Sequence, residues 1–213
     1  MSVDRRGQAE AFDGIGQFYD DAFPHKEGQL AAGRRLAAAL PPGSRVLDVG
    51  CGTGLPTARQ LTEAGHTVVG TDISSGMLAL AGKNVPAVEF RQLDIADLTA
   101  DGPRGVGLFD GIACFFALLM LPRPEIPEAL RRLHGLLRPG GLMELSMVEA
   151  DLDDAAIPFL GHTIRVSGYL GDELRQVVRD AGFDIADEAT YSYAPASTDV
   201  PPEHQIFLHC RRG

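Results

Sequence analysis

The sequence predicts an α/β domain, a mostly parallel sheet with helices on both faces and one late antiparallel strand. Three observations carry this. Short β-rich runs alternate with longer Ala- and Leu-rich stretches, the pattern of strands joined by crossover helices. An apolar run ending at Val49 enters a glycine-rich turn that opens a helix. The last two β-rich runs are separated only by Pro-rich polar residues, 194–203, which leaves no room for a crossover helix and makes that pair antiparallel.

In chain order, residues 27–40 read as a helix ended by Pro41-Pro42-Gly43, since proline cannot continue the hydrogen-bond ladder. Residues 45–49 form the first strand. Residues 55–64 form the next helix, with Pro56 in the first turn, where its missing N–H costs nothing. Strand 67–71 follows, then a helix running to Gly82 that Ser74 or Ser75 can cap. Strands 87–91 and 109–115 come next. A helix from Pro124 or Glu125 to Leu137 closes at Arg138-Pro139-Gly140-Gly141, ahead of strand 142–148. A loop, a helix over 172–181 ended by Gly182, and strands 184–191 and 205–210 complete the chain.

The 213 residues, 45% of them hydrophobic, fit one domain with a full-sized core and are too apolar for disorder. Asp and Glu number 29 against 19 Lys and Arg, a net charge of −10, so no long-range field gathers a phosphate backbone and nucleic acid is disfavoured as partner. No apolar run approaches the roughly 20 residues of a membrane span. Polar Gln8, Glu10 and Asp13 follow the start too closely for a signal peptide. The 3 cysteines, Cys51, Cys114 and Cys210, lie too far apart for a zinc knuckle or redox pair, so no metal and a reduced, cytoplasmic location are expected.

The chemistry gathers at Val46-Leu47-Asp48-Val49-Gly50-Cys51-Gly52-Thr53-Gly54. Glycine lets the backbone approach a ligand, and the helix start beyond it favours negative charge. The spacing is G-x-G-x-G. A dinucleotide site needs G-x-G-x-x-G, and Leu55 stands at its third glycine. Asp48 would repel a pyrophosphate and suits a ligand with ammonium or sulfonium charge. Asp72 ends the second strand, where a carboxylate can accept hydrogen bonds from both hydroxyls of a ribose. Asp94, just past the third strand, can reach an adenine amino group while Leu93 and Ile95 touch the ring.

On these motifs, with Phe109-Asp110-Gly111-Ile112 and Leu136-Leu137-Arg138-Pro139-Gly140-Gly141, the chain resembles the class I S-adenosylmethionine-dependent methyltransferases of small-molecule type, strongly over residues 43–150. The resemblance implies a Rossmann-like three-layer sandwich with a seven-stranded sheet of order 3-2-1-4-5-7-6, strand seven antiparallel. It implies a single domain: residues 1–42 as lid and first helix, 43–150 as the cofactor-binding core, and 151–213 as acceptor-side loop, last helix and antiparallel pair. S-adenosyl-L-methionine would be held by Gly50, Cys51 and Gly52 at its methionine part and by Asp48 at its amino end, with Gly54 and Ile73 also in its site. Asp72 would take the ribose, Met77 the adenosine, Asp94 and Ile95 the adenine, and Phe115 the sulfonium. Tyr19 and Lys26, in a lid-forming segment, would lie near its carboxylate.

Many relatives carry His or Tyr shortly before Leu-Pro after the fourth strand, where this chain has Phe116-Ala117-Leu118-Leu119-Met120-Leu121-Pro122. His25, Glu149 and His162 are the ionisable groups nominated near an acceptor. Two function classes remain. One is methyl transfer to O, N or C of a small apolar or aromatic metabolite by in-line displacement. The other is a cofactor-binding homologue that performs a non-methylating rearrangement or binding alone.

Overall fold

Along β1 (Arg45–Val49), Val46 packs toward one side of the sheet while Leu47 and Val49 pack toward the other, as the two-residue strand period requires. The computed structural model describes residues 5–196, 200 and 202–213. On the Val46 side lie α3 (Glu27–Ala39), through Ala32 and Leu36, and α4 (Thr57–Glu63), through Ala58 and Leu61. On the other side lie α6 (Ile126–Leu136), through Leu130 and Leu133, and α7 (Gly171–Asp180), through Leu174 and Val178. Met77 of α5 (Ser75–Asn84) joins the same core, and Ser74 caps that helix by accepting the Met77 N–H at 3.0 Å.

The sheet has seven strands. Beside β1 stand β2 (Thr67–Asp72) and β4 (Phe109–Phe115), both parallel to it; β3 (Glu89–Gln92) lies outside β2 and β5 (Leu137–Val148) outside β4. β8 (Phe183–Tyr193) and β9 (Glu203–Arg212) finish the sheet, β9 inserting antiparallel between β5 and β8. The order β3-β2-β1-β4-β5-β9-β8 is the expected one, with the last strands renumbered by an extra hairpin. β5 begins at Leu137 rather than 142: Pro139-Gly140-Gly141 lies within the strand, which re-enters register with β4 after an irregularity between Phe109 and Gly111.

That hairpin, β6 (Leu152–Phe159) with β7 (His162–Gly168), stands where a loop was expected. Its turn is Leu160-Gly161, both at positive φ, 49° and 81°, the geometry that matches strand twist in a two-residue connection. The N-terminal segment forms α1 (Arg6–Ile15) and α2 (Phe18–Ala22). Among the described residues no helix is long and apolar enough to cross a membrane, and the three cysteines are buried and unpaired.

Candidate active site

Beyond Val49 the chain reverses through Gly50 and Gly52, at φ 65° and 53°, a region open to glycine at little cost. A Cβ on Gly50 would stand 2.6 Å from the Ala117 methyl, whereas one on Gly52 would meet nothing within 4 Å; the turn thus packs against the β4 loop and leaves its other side to a ligand. The turn is pinned to the next strand. Cys51 N–H donates to Thr71 O at 3.0 Å and Gly52 N–H to Asp72 Oδ2 at 2.9 Å. Ser74 N–H takes Asp72 Oδ1 at 2.9 Å. Burial raises the Asp72 carboxyl above its usual range, and these backbone bonds oppose the shift.

The turn opens on a cavity of about 470 Å³. Gly50, Cys51, Gly52, Asp72 and Ile73 form one end, continued by Met77, Asp94 and Ile95. Phe115 rises from the end of β4 and Phe116 follows it, and Tyr19, His25 and Lys26 close it from the N-terminal segment. The hairpin contributes an apolar row, Ile157 and Phe159 beside Ile164 and Val166. The rings of Phe12, Tyr19, Phe23 and Phe159 pack together, Tyr19 against Phe23 at 5.1 Å and Phe23 against Phe159 at 5.9 Å.

Asp48 is 2% exposed and stands behind the turn, not on the cavity wall. Among the described residues its Oδ2 has no hydrogen-bond partner. Burial, with the neighbouring Asp72 charge second, pushes its carboxyl up to about 7. An uncompensated buried carboxylate is costly, so this position requires either a proton or a cation across the turn. Burial also raises the Cys51 thiol, which disfavours the nucleophilic thiolate.

The N-terminal segment is fastened over the cavity at several points. Arg5 bridges Asp94 and Glu125. The buried Gln8 amide exchanges two 2.8 Å bonds with the backbone of Arg165 on β7. Asp13 Oδ1 accepts from Ser74 Oγ at 2.5 Å and Gly76 N–H at 2.8 Å. Asp20 holds Lys26 Nζ at 2.6 Å and Thr53 Oγ1 at 2.7 Å. Asp94 thus has one oxygen on Arg5, the other accepting Ala96 N–H at 2.8 Å.

Of the residues nominated from sequence, Tyr19, His25, Lys26, Gly50, Cys51, Gly52, Asp72, Ile73, Met77, Asp94, Ile95, Phe115 and Glu149 line this one cavity. Glu149 also accepts the Gly171 N–H at 2.8 Å, at the start of α7. Gly54 and Asp48 lie behind the wall. The His162 imidazole packs on α1, where a Cβ on Gly14 would stand 2.4 Å from it, and does not face the cavity. Sequence reasoning missed Gln8, Glu203 and Gln205, which also line it. An antiparallel last strand was the available signal, since its first residues must lie at the carboxyl edge of the parallel strands.

A methyltransferase domain model matches residues 25–188. Trans-aconitate 2-methyltransferase of Deinococcus radiodurans is 38% identical over 141 residues, 64% of this chain and 51% of that protein. The chain spans about half the length of this and other curated relatives it matches. Among solved structures, the DhpI complex with SAH superposes with TM-score 0.72 at 22% identity, covering 98% of this chain and 96% of that one. The 1,6-didemethyltoxoflavin-N1-methyltransferase of Burkholderia thailandensis, with bound 1,6-didemethyltoxoflavin and S-adenosylhomocysteine, gives 0.70 at 23% identity, covering 100% and 92%.

Proposed function

This chain belongs to the methyltransferase domain family, and from that premise we propose that it binds S-adenosyl-L-methionine and methylates O, N or C of a small apolar or aromatic metabolite. The observation that carries the reading is the unpartnered Asp48 Oδ2 beneath a glycine turn that faces an apolar cavity. A buried carboxylate without a counter-ion suits a cofactor bearing ammonium and sulfonium charge, and the open side of Gly52 admits its backbone-close approach.

Gly50, Cys51 and Gly52 would hold the methionine part, with Gly54 keeping the turn. Asp72 would take the ribose, Ile73 and Met77 the adenosine, Asp94 and Ile95 the adenine. Tyr19 and Lys26 would close over the carboxylate end and Phe115 would face the sulfonium. When bound, the cofactor would supply an electrophilic methyl group to the acceptor. The chain aligns the acceptor and keeps water out: the lid anchors and the Phe12, Phe23 and Phe159 rings supply both. His25 and Glu149, on the wall, are the groups we assign to receiving a proton, where the acceptor must lose one. Buried free thiols fit a reducing, cytoplasmic location.

The test is incubation with methyl-labelled cofactor and a panel of aromatic amines, phenols and apolar metabolites, read by mass spectrometry. Label in an acceptor supports the reading. Bound cofactor without label in any acceptor supports the non-methylating alternative.

A further inference from the structure

We propose that Glu203 recognises the acceptor, and that the acceptor is an aromatic molecule presenting a protonated amine or another hydrogen-bond donor rather than an anionic group. The inference rests on the methyltransferase reading only for the word acceptor; the ligand preference belongs to the cavity itself.

The position follows from topology. β9 runs antiparallel beside β5, with Gln205 opposite Val148, so Glu203 stands just past the carboxyl end of β5, where ligands of such sheets lie. Glu203, Gln205 and Phe207 share one face of β9 by the strand period. Phe207 meets Phe115 and Phe116 with ring centroids 6.0 and 5.7 Å away, which sets the glutamate on the same side of the sheet as the Phe115 tip. Both Glu203 and Gln205 line the cavity.

The carboxylate is held but not neutralised. Gln205 Nε2 donates to its Oε2 at 2.9 Å, and burial keeps its carboxyl above the ordinary range against that single bond. Among the described residues no cation pairs with it. Two of the cavity's basic groups are engaged. Arg5 divides its guanidinium between Asp94 and Glu125, and Lys26 Nζ sits on Asp20. The imidazoles of His25 and His204 reach the wall, but neither bonds Glu203. A carboxylate or phosphate ligand would meet the half-buried Glu203 carboxylate while Arg5 and Lys26 are already paired with other carboxylates, an unfavourable arrangement.

An aromatic slab stands beside the charge. Tyr193 pairs with Glu203 across β8 and β9 and stacks on Phe23 at 5.9 Å and 13°. Phe23 in turn stacks on Tyr19, whose phenol burial and then the Glu203 charge keep protonated. A flat ring bearing a cationic or N–H tail meets π-faces along its body and a carboxylate at its end.

The experiment is calorimetric titration of the protein saturated with S-adenosylhomocysteine, using phenethylamine and phenylacetate, which share a ring and differ in charge. Phenethylamine is expected to bind more tightly by about tenfold or more, as for a charge-assisted hydrogen bond. Glu203→Gln should abolish that preference while leaving S-adenosylhomocysteine affinity unchanged. Equal binding, preference for phenylacetate, binding of neither probe, or a preference that survives Glu203→Gln would overturn the proposal. If S-adenosylhomocysteine does not bind, the methyltransferase reading fails, and the same two probes on the ligand-free protein still judge Glu203.

Discussion

Thr53 Oγ1 donates to Asp20 Oδ2 at 2.7 Å, joining the glycine turn to the helix that covers it. The same carboxylate holds Lys26 Nζ at 2.6 Å, and Asn84 Nδ2 steadies the Thr53 carbonyl at 2.9 Å. A side chain of the lid is thereby bonded to the loop that would carry the cofactor. Asp20→Ala is expected to weaken S-adenosylhomocysteine binding by about tenfold, the scale of one charge-assisted hydrogen bond, mainly through faster dissociation. Stopped-flow release would show it; an unchanged off-rate would mean that the lid does not retain the ligand.

Asp72 should matter more. It anchors Gly52 and Ser74 through backbone N–H groups and, in the reading above, also accepts from the ribose. Asp72→Ala is expected to cost about 1.5–3 kcal/mol for each charge-assisted bond lost to the cofactor, measured by calorimetry. Equal affinity in wild type and variant would show that the ribose lies elsewhere.

Asp48 predicts a pH dependence with a definite sign. Its folded-state carboxyl titrates at about 7, far above an unfolded aspartate, so between roughly pH 4 and 7 the folded state binds more protons than the unfolded. Stability of the ligand-free protein from this group is therefore present at low pH and lost as pH rises through 7, and the raised Asp72 carboxyl adds in the same direction. Asp48→Asn should flatten that slope in denaturant titrations. A cationic cofactor favours ionised Asp48, so its binding near pH 6.5 should release protons, seen as a buffer-dependent calorimetric enthalpy. Proton uptake would contradict the assignment.

These predictions draw unevenly on what the sequence made legible. The parallel strands could be read because both faces are buried, so Val46-Leu47 and Ile112-Ala113-Cys114 are apolar without interruption. The glycine-turn end of the cavity was legible for a related reason: its residues sit at strand tips and in one turn, close to each other in sequence. The hairpin was not. β6 opens Leu152-Asp153-Asp154, contains Pro158, and turns on Leu160-Gly161 without the Asn-Gly signature; only packing against α1 and the cavity makes it a strand pair. Gln8 and Glu203 escaped because each acquires its role from a partner far along the chain: Arg165 backbone for one, the β5 edge for the other.

The sheet's buried charge offers a last test, independent of any ligand. Glu144 on β5 has no solvent exposure and receives Arg35 in a fork, Nε to Oε1 and Nη2 to Oε2, both at 2.8 Å. His209 Nδ1 adds a 2.7 Å contact from β9. Three elements, α3, β5 and β9, are thus tied on the face that carries Glu203 and Gln205. Removing the guanidinium leaves a buried carboxylate short of a counter-ion, so Arg35→Ala is expected to lose about 3–5 kcal/mol of unfolding free energy. Arg35→Lys should recover only part, because an ammonium cannot reproduce the bidentate fork. Replacing both partners, Arg35→Met with Glu144→Leu, should cost less than Arg35→Ala alone. A double variant as unstable as the single one would show that the interaction is not the uncompensated charge but the packing of α3 itself.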